Sequence, residues 1–443
     1  MMKKIAIIGA GSYNFTRAIA RDIFTFPALA DSHIALVDLP EGAAYMDASK
    51  KLIQRIIEKG KYPAKVTAGF DRRDAIDGAD AVIITIRNDL TVDAWSPDLT
   101  IPKKYGVDTV IGDTRGPSGI FRFLRMVPAI YDICRDIEEL APGAIVLNYS
   151  NPMDMVCSYV RRTTDLNITG LCHSVQGTAA MLAKWIGAPM DEITYLCGGI
   201  NHQAFYLKFE RSGKNAYPDI FKYIKEHSRV NEDGVTVHES EGVRNEMCLG
   251  LGYYPTESSG HNSEYNAWFR KRQDLIDAYV PDSYGRSIKI ITERNEKRLA
   301  DAEKALAEDS IDISRGKEYA SYILNAIIGD GTMFEFNGNV ENKGLITNLP
   351  YGCTVEVPVV ASKGGMKHFG IGALPPQIAA LNTQNVMLEE LAVEGALIGD
   401  KETIYHAIIC DPLTSAVCSL AEIRKMTEEL FAANEEALKP LGF

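Results

Sequence analysis

Residues 3–24, KKIAIIGAGSYNFTRAIARDIF, pass from an apolar strand through a glycine turn directly into a helix. A strand that ends in Gly9-Ala10-Gly11-Ser12 and opens a helix leaves few folds available. Glycines at these points let the chain turn tightly and bring backbone N–H groups up to a pyrophosphate at the helix N-terminus. A second strand, HIALVDL, ends in Asp38, 24 residues past Asn14. A carboxylate there accepts from ribose hydroxyls and repels a 2′-phosphate, which favours NAD over NADP. Asn14 stands where the fingerprint has its third glycine, so the packing of helix on strand is expected to differ slightly. Gly9, Gly11, Ser12 and Asp38 are the expected cofactor contacts, joined by Asn88 at the end of the fourth strand.

The rhythm continues beyond this unit. A helix is expected over about 43–59, with Met46, Ile53, Ile56 and Ile57 on one face, then a strand KVTAGFD and a short helix in DRRDAIDGA. ADAVIITI, a helix from about Gly119 to Leu140, AIVLNYS, another helix and NITGLC follow. β-Branched apolar runs alternating with helices predict an α/β chain with a doubly wound parallel sheet of the Rossmann type, as in lactate and malate dehydrogenases. After about residue 195 come longer loops, more aromatics and a helix over 284–308, which suggests a second, mixed α/β domain. The expected division is 1–195 for the dinucleotide and 196–443 for substrate, metal and oligomer contacts.

Parallel sheets bind ligands at the carboxyl ends of their strands, so the polar residues there are the ones to weigh. They are Arg87 to Asp89, Asn148 to Asn151, and Cys172-His173, with Asp113 and Arg115 in the glycine-rich loop 111–119. Cys172 and His202 (in GGINH) have the ligand chemistry for a divalent cation, at no zinc-finger spacing. One thiolate and one imidazole would leave most of the coordination sphere open to substrate and water. A buried thiol with a structural histidine, or a plain dehydrogenase using His173 or His202 as proton acceptor, fits the same residues.

Composition narrows the partners. The 443 residues, 46% apolar and 24% charged, describe a soluble globule of two or three domains. A net charge of −12 argues against nucleic acid or an anionic membrane surface as partner. The eight cysteines include no CxxC pair and read as the reduced thiols of a cytoplasmic protein. The six-residue opening run ends in a glycine loop with no cleavage site, so export is not expected, and no apolar stretch is long enough for a membrane span.

GAGS, GDTRGPSG, LNYSNPMD, GLCHSVQGT, GGINHQAFYL, PTESSGH, SRGKEYA, TNLPYGCTVEVP and CDPLTSA together resemble family 4 glycoside hydrolases, most closely the α-galactosidase (melibiase) branch. The resemblance runs from Lys3 to about Ala433. It implies NAD, a divalent cation (usually Mn²⁺), a small glycoside as substrate, and a homodimer or homotetramer. It also implies hydrolysis by an exceptional route: oxidation at C3, loss of the C2 proton, elimination at C1, addition of water and re-reduction. Cys172 and His202 match the metal ligands, and Asn151 matches a sugar-contacting asparagine. Asp113 and Arg115 are expected to contact substrate as well. His173 stands where phosphoglycosidase members have an aspartate that assists the leaving group. Glu257, His261 and Tyr265 are the candidates for the C2 base. Alternatives are another α-hexosidase such as an α-galacturonidase, for which Arg115 would suit the acidic sugar, or an α-glucosidase. Outside the family stand a 2-hydroxyacid dehydrogenase and a silent NAD-binding sensor.

Overall fold

Six short apolar strands form the centre of the molecule in the computed structural model, which describes residues 2–87, 92–232, 234, 236–281, 284–308 and 310–443. They are β1 (Lys4–Ile8), β2 (His33–Val37), β3 (Lys65–Gly69), β4 (Ala81–Ile84), β5 (Ile145–Asn148) and β6 (Ile168–Gly170). All pair in parallel, in the order β3-β2-β1-β4-β5-β6. Both faces of this sheet are covered. On β1, Ile5 and Ile7 belong to one core while Ala6 and Ile8 belong to the other. Period-2 side chains that are apolar on both faces require helices above and below the sheet. Helices Tyr13–Phe24, Ala43–Gly60 and Tyr319–Ile328 fill the first face through Ile19, Ile53 and Ile323. Helices Gly116–Leu140, Met153–Thr163 and Pro376–Ile398 fill the second through Phe121, Val156 and Leu388.

The sheet does not stop at β6. Strands Phe334–Glu341, Thr354–Ser362 and Gly365–His368 add to that edge in antiparallel order, giving nine strands in all. Chain from beyond residue 196 therefore extends the sheet built by the first half. A separate three-stranded sheet (Ile193–Gly198, Phe205–Arg211, Lys214–Asn215) packs its own core of Tyr206, Phe209, Ile220 and Tyr254. Its first connection, residues 199–204, is the loop that carries His202 beside β6. Among the described residues, no helix is long and apolar enough to cross a membrane.

Candidate active site

Two cavities open at the carboxyl ends of the parallel strands. The larger, about 670 Å³, is lined by Gly9, Gly11, Ser12, Asp38, Thr85, Ile86 and Arg87 among others. Gly9 has φ +91°, and a Cβ on it would lie 2.7 Å from the Thr85 carbonyl oxygen. Only glycine lets β1 turn this close to β4. Asp38 accepts the Gly11 N–H through one carboxylate oxygen and the Leu39 N–H at 2.8 Å through the other. It thereby binds the end of β2 to the glycine turn at the cavity wall. Asn88, the remaining expected cofactor contact, lies outside the described residues.

The second cavity, about 380 Å³, is lined by Cys172, His173, Thr178, Arg244, Glu257 and Ser258 among others. Cys172 follows β6 and precedes helix Ser174–Trp185, whose Ser174 N–H points at its sulfur from 3.5 Å. One ligand atom from each of Cys172, His202 and Glu257 lies within 4.8 Å of the other two. Sequence reasoning expected the cysteine and the histidine, but it placed Glu257 among the bases. The structure brings that carboxylate into the same group, 3.7 Å from His202 Nε2.

The protonation states suit a cation. Burial pushes His202 down to about 4, which leaves a neutral imidazole. Burial works against ionisation of Glu257, yet His202 in its charged form, His261 and Arg244 outweigh it and lower the carboxyl to about 2. Burial also raises the Cys172 thiol well above its usual range, and the carboxyls of Glu257 and Glu356 raise it further. A bound cation is the partner that turns such a thiol into a ligand. A nitrogen, a sulfur and a single carboxylate form a donor set for a transition-metal ion rather than for Ca²⁺ or Mg²⁺.

Behind this group the other expected residues divide. His261 sits between two carboxylates, 3.2 Å from Glu257 and 3.4 Å from Asp113. Burial would lower its pKa, but Glu257 and Asp113 reverse the balance and raise it well above normal. The two carboxylates thus favour the protonated ring. Asp113 in turn accepts from the Thr114 hydroxyl at 2.7 Å. Tyr265 is buried, with its hydroxyl 3.3 Å from His202 Nδ1. Arg115 departs from expectation. Its side chain is fully buried and donates to Glu389 at 2.6 Å, to the Asn201 carbonyl at 2.7 Å and to Asp154 at 3.3 Å. Nε and Nη2 of that guanidinium are engaged within the protein, while its buried Nη1 has no protein partner. The guanidinium lies 4.6 Å from the centre of the Tyr265 ring.

Asn151 follows β5 at a cis peptide to Pro152, and its side-chain oxygen is buried without a protein hydrogen-bond partner. His173 lines the same cavity as Cys172 and packs among aromatic rings. Its ring stacks on Tyr149 (5.9 Å) and Tyr319 (6.1 Å), meets Phe15 edge-on, and places Nε2 2.9 Å from Glu318. Sequence reasoning missed Glu318. The residue lies in the quoted SRGKEYA segment, but 145 positions separate it from its partner and no spacing rule joins them.

A dinucleotide-type sheet with a thiol, an imidazole and a carboxylate gathered at its carboxyl edge describes a cofactor enzyme with an open cation site. The comparisons identify which kind. The family 4 glycosyl hydrolase model matches residues 4–188, and the model of that family's C-terminal domain matches residues 197–414. The chain is 36% identical to an α-galactosidase of Rhizobium meliloti (strain 1021), across 98% of this chain and 89% of the relative. It is also 36% identical to an α-galactosidase of Bacillus subtilis (strain 168), across 99% of each. A solved 6-phospho-α-glucosidase from gut microorganisms, in complex with NAD and Mn²⁺, superposes with a TM-score of 0.81 at 18% identity, covering 99% of both chains. The chain belongs to glycoside hydrolase family 4.

Gly9→Ala is expected to weaken NAD binding by roughly 10- to 100-fold. A side chain at φ +91° costs about 1–3 kcal/mol before the clash with Thr85 is counted. Titration of the cofactor by protein fluorescence measures the loss, and an unchanged affinity would place the dinucleotide elsewhere.

Proposed function

We propose that this chain is an NAD- and manganese-dependent α-galactosidase acting on small α-galactosides. The observation that carries the reading is the Cys172–His202–Glu257 group on the sheet whose glycine turn borders the larger cavity. The two α-galactosidases at 36% identity support the substrate, and the solved relative with NAD and Mn²⁺ supports the cofactors. NAD at the turn of Gly9 and Gly11 would supply hydride chemistry at the sugar, and a cation held by Cys172, His202 and Glu257 would supply polarisation of its oxygens.

The chain's own residues then have separate tasks. Cys172, His202 and Glu257 hold the cation, which removes Glu257 from the list of bases. His261, between Asp113 and Glu257, orients that carboxylate. Tyr265 is the remaining candidate to take the C2 proton. Burial raises its phenol well above the usual value, and the Arg115 guanidinium against its ring works in the opposite direction. His173, part-exposed on the Cys172 cavity and hydrogen-bonded to Glu318, is placed to protonate the leaving-group oxygen. Asn151 offers its unpaired amide oxygen to a sugar hydroxyl.

A neutral sugar fits better than a uronide. Arg115 is matched by Glu389 and Asp154, and Arg244 on the cavity wall is matched by Glu241 at 2.9 Å. Each guanidinium already faces a protein carboxylate, which lessens its pull on a sugar carboxylate. We place the enzyme in the cytoplasm, where its eight unpaired cysteines stay reduced.

Release of nitrophenol from a nitrophenyl α-galactoside by dialysed enzyme tests the reading. Activity is expected only when both NAD⁺ and Mn²⁺ are restored, with no build-up of NADH. Stoichiometric NADH growth would instead mark a dehydrogenase, and activity without either addition would remove the cofactor assignment.

A further inference from the structure

Two of the three residues that gather at the cation site have unusual backbone. His202 has φ +61° and Glu257 has φ +66°, in the left-handed region that side chains other than glycine avoid. Such conformations persist where the surroundings over-determine them. Here the surroundings consist of one continuous run of buried amides. Gln203, the residue after His202, accepts from Asn385 Nδ2 at 2.9 Å and donates through Nε2 to Asn266 Oδ1 at 3.1 Å. Asn266 donates to the Asn262 carbonyl at 2.8 Å. The Asn262 amide then donates to the carbonyls of Thr256 (2.9 Å) and Ser258 (3.1 Å), one on each side of Glu257. Asn382 adds a bond to the Gln203 carbonyl at 3.0 Å.

All five amide residues are buried: Gln203, Asn262 and Asn382 are 0% exposed, Asn385 1% and Asn266 2%. The ladder thus begins on the helix Pro376–Ile398, passes the residue next to His202, and ends in a clasp around Glu257. A direct strut shortens the path, because the Thr256 N–H donates to the Ala204 carbonyl at 2.8 Å. None of these side chains carries charge, so they can fix the ligands without competing with a cation for the carboxylate or the thiolate.

We propose that the Asn385–Gln203–Asn266–Asn262 ladder is a positioning device that presets His202 and Glu257 for the metal before it arrives. It acts through the ligands and touches neither cation nor sugar. A site whose backbone is already turned does not have to meet that ordering cost from the binding energy of the ion. Outer partners of metal ligands typically contribute 10- to 100-fold in affinity when removed. The inference rests on the reading of Cys172, His202 and Glu257 as the cation site.

The test is Mn²⁺ affinity, read from the electron paramagnetic resonance signal of the free ion, together with NAD affinity and melting temperature. Gln203→Met keeps the shape and removes both amide bonds, whereas Asn262→Ala opens the clasp on Glu257. Each is expected to weaken Mn²⁺ by about 10- to 100-fold while NAD affinity holds. Asn342, whose amide donates to the carbonyls of Ile346, Leu349 and Pro350, is a buried clasp of the same kind outside the ladder. Asn342→Ala is expected to lower the melting temperature comparably and leave Mn²⁺ affinity unchanged. A folded Gln203→Met that binds Mn²⁺ as tightly as the parent would overturn the proposal. So would an Asn342→Ala that loses as much Mn²⁺ affinity as the ladder variants, since the loss would then follow stability alone. If the parent protein binds no Mn²⁺ that Cys172→Ser abolishes, the cation site itself is wrong, and the proposal falls with it.

Discussion

Cys172→Ser is expected to lose Mn²⁺ and at least about 10³-fold in glycosidase rate while retaining NAD affinity. A metal polarising oxygens at a reacting centre supplies several kcal/mol, and each 1.36 kcal/mol is a factor of ten. Serine matches the size of cysteine but cannot match its chemistry, because a hydroxyl gives up its proton far less readily than a thiol. Even the thiol needs the cation here, since burial holds it above its usual range. The cofactor is insulated from this change. Gly9, Gly11 and Asp38 stand at the ends of β1 and β2, while Cys172 follows β6, three strands from β1 in the sheet order. Binding of both ligands can be measured on the same preparation. Full activity in this variant, or in excess chelator, would reject the metal assignment.

Turnover in D₂O is expected to leave deuterium at C2 of the released galactose, and Tyr265→Phe to slow turnover by on the order of 10²- to 10⁴-fold. The first result follows from the chemistry. A ketone at C3 acidifies the neighbouring proton, so the proton exchanges with solvent during elimination and addition, whereas a two-carboxylate glycosidase never breaks that bond. The second follows from the site. Glu257 is drawn to the ligand group, and Asp113 and Glu257 beside His261 raise its pKa. Tyr265 retains a hydroxyl beside His202 and a guanidinium against its ring. Tyr265→Phe preserves the ring and its contact with Arg115 but removes the hydroxyl beside His202, so its rate is compared at saturating Mn²⁺ and NAD. Product without deuterium would reject the elimination route altogether. Deuterium uptake at an undiminished rate in Tyr265→Phe would keep the route and assign the base to another group.

The sheet was legible as far as β6 because each of its strands is a short apolar run buried on both faces, a property of consecutive residues. The three strands that continue it were not. Thr354–Ser362, TVEVPVVAS, is strand-like by composition and pairs with the nearby Phe334–Glu341, but the joining of that pair to β6 depends on Asn339 meeting Gly170, more than 160 residues away. Cys172 and His202 stood out by residue type and by the family motifs around them, and their closeness in space came only with the fold. The Arg115–Glu389 pair was not legible, because 274 positions separate the two residues.

The sequence by itself determined the dinucleotide turn, the alternation that builds the parallel sheet, the thiol and imidazole, and membership of the family. These rest on residue type and local period, which the chain carries whether folded or not. Only the tertiary structure decided that Glu257 faces the ligands, that two carboxylates flank His261, that Arg115 is engaged within the protein, and that Gln203 and Asn262 hold the ligand backbones. Each of these depends on the charge or hydrogen-bond partner that folding brings to a buried group. In a low-dielectric interior the partner, more than the residue type, sets what the group can do.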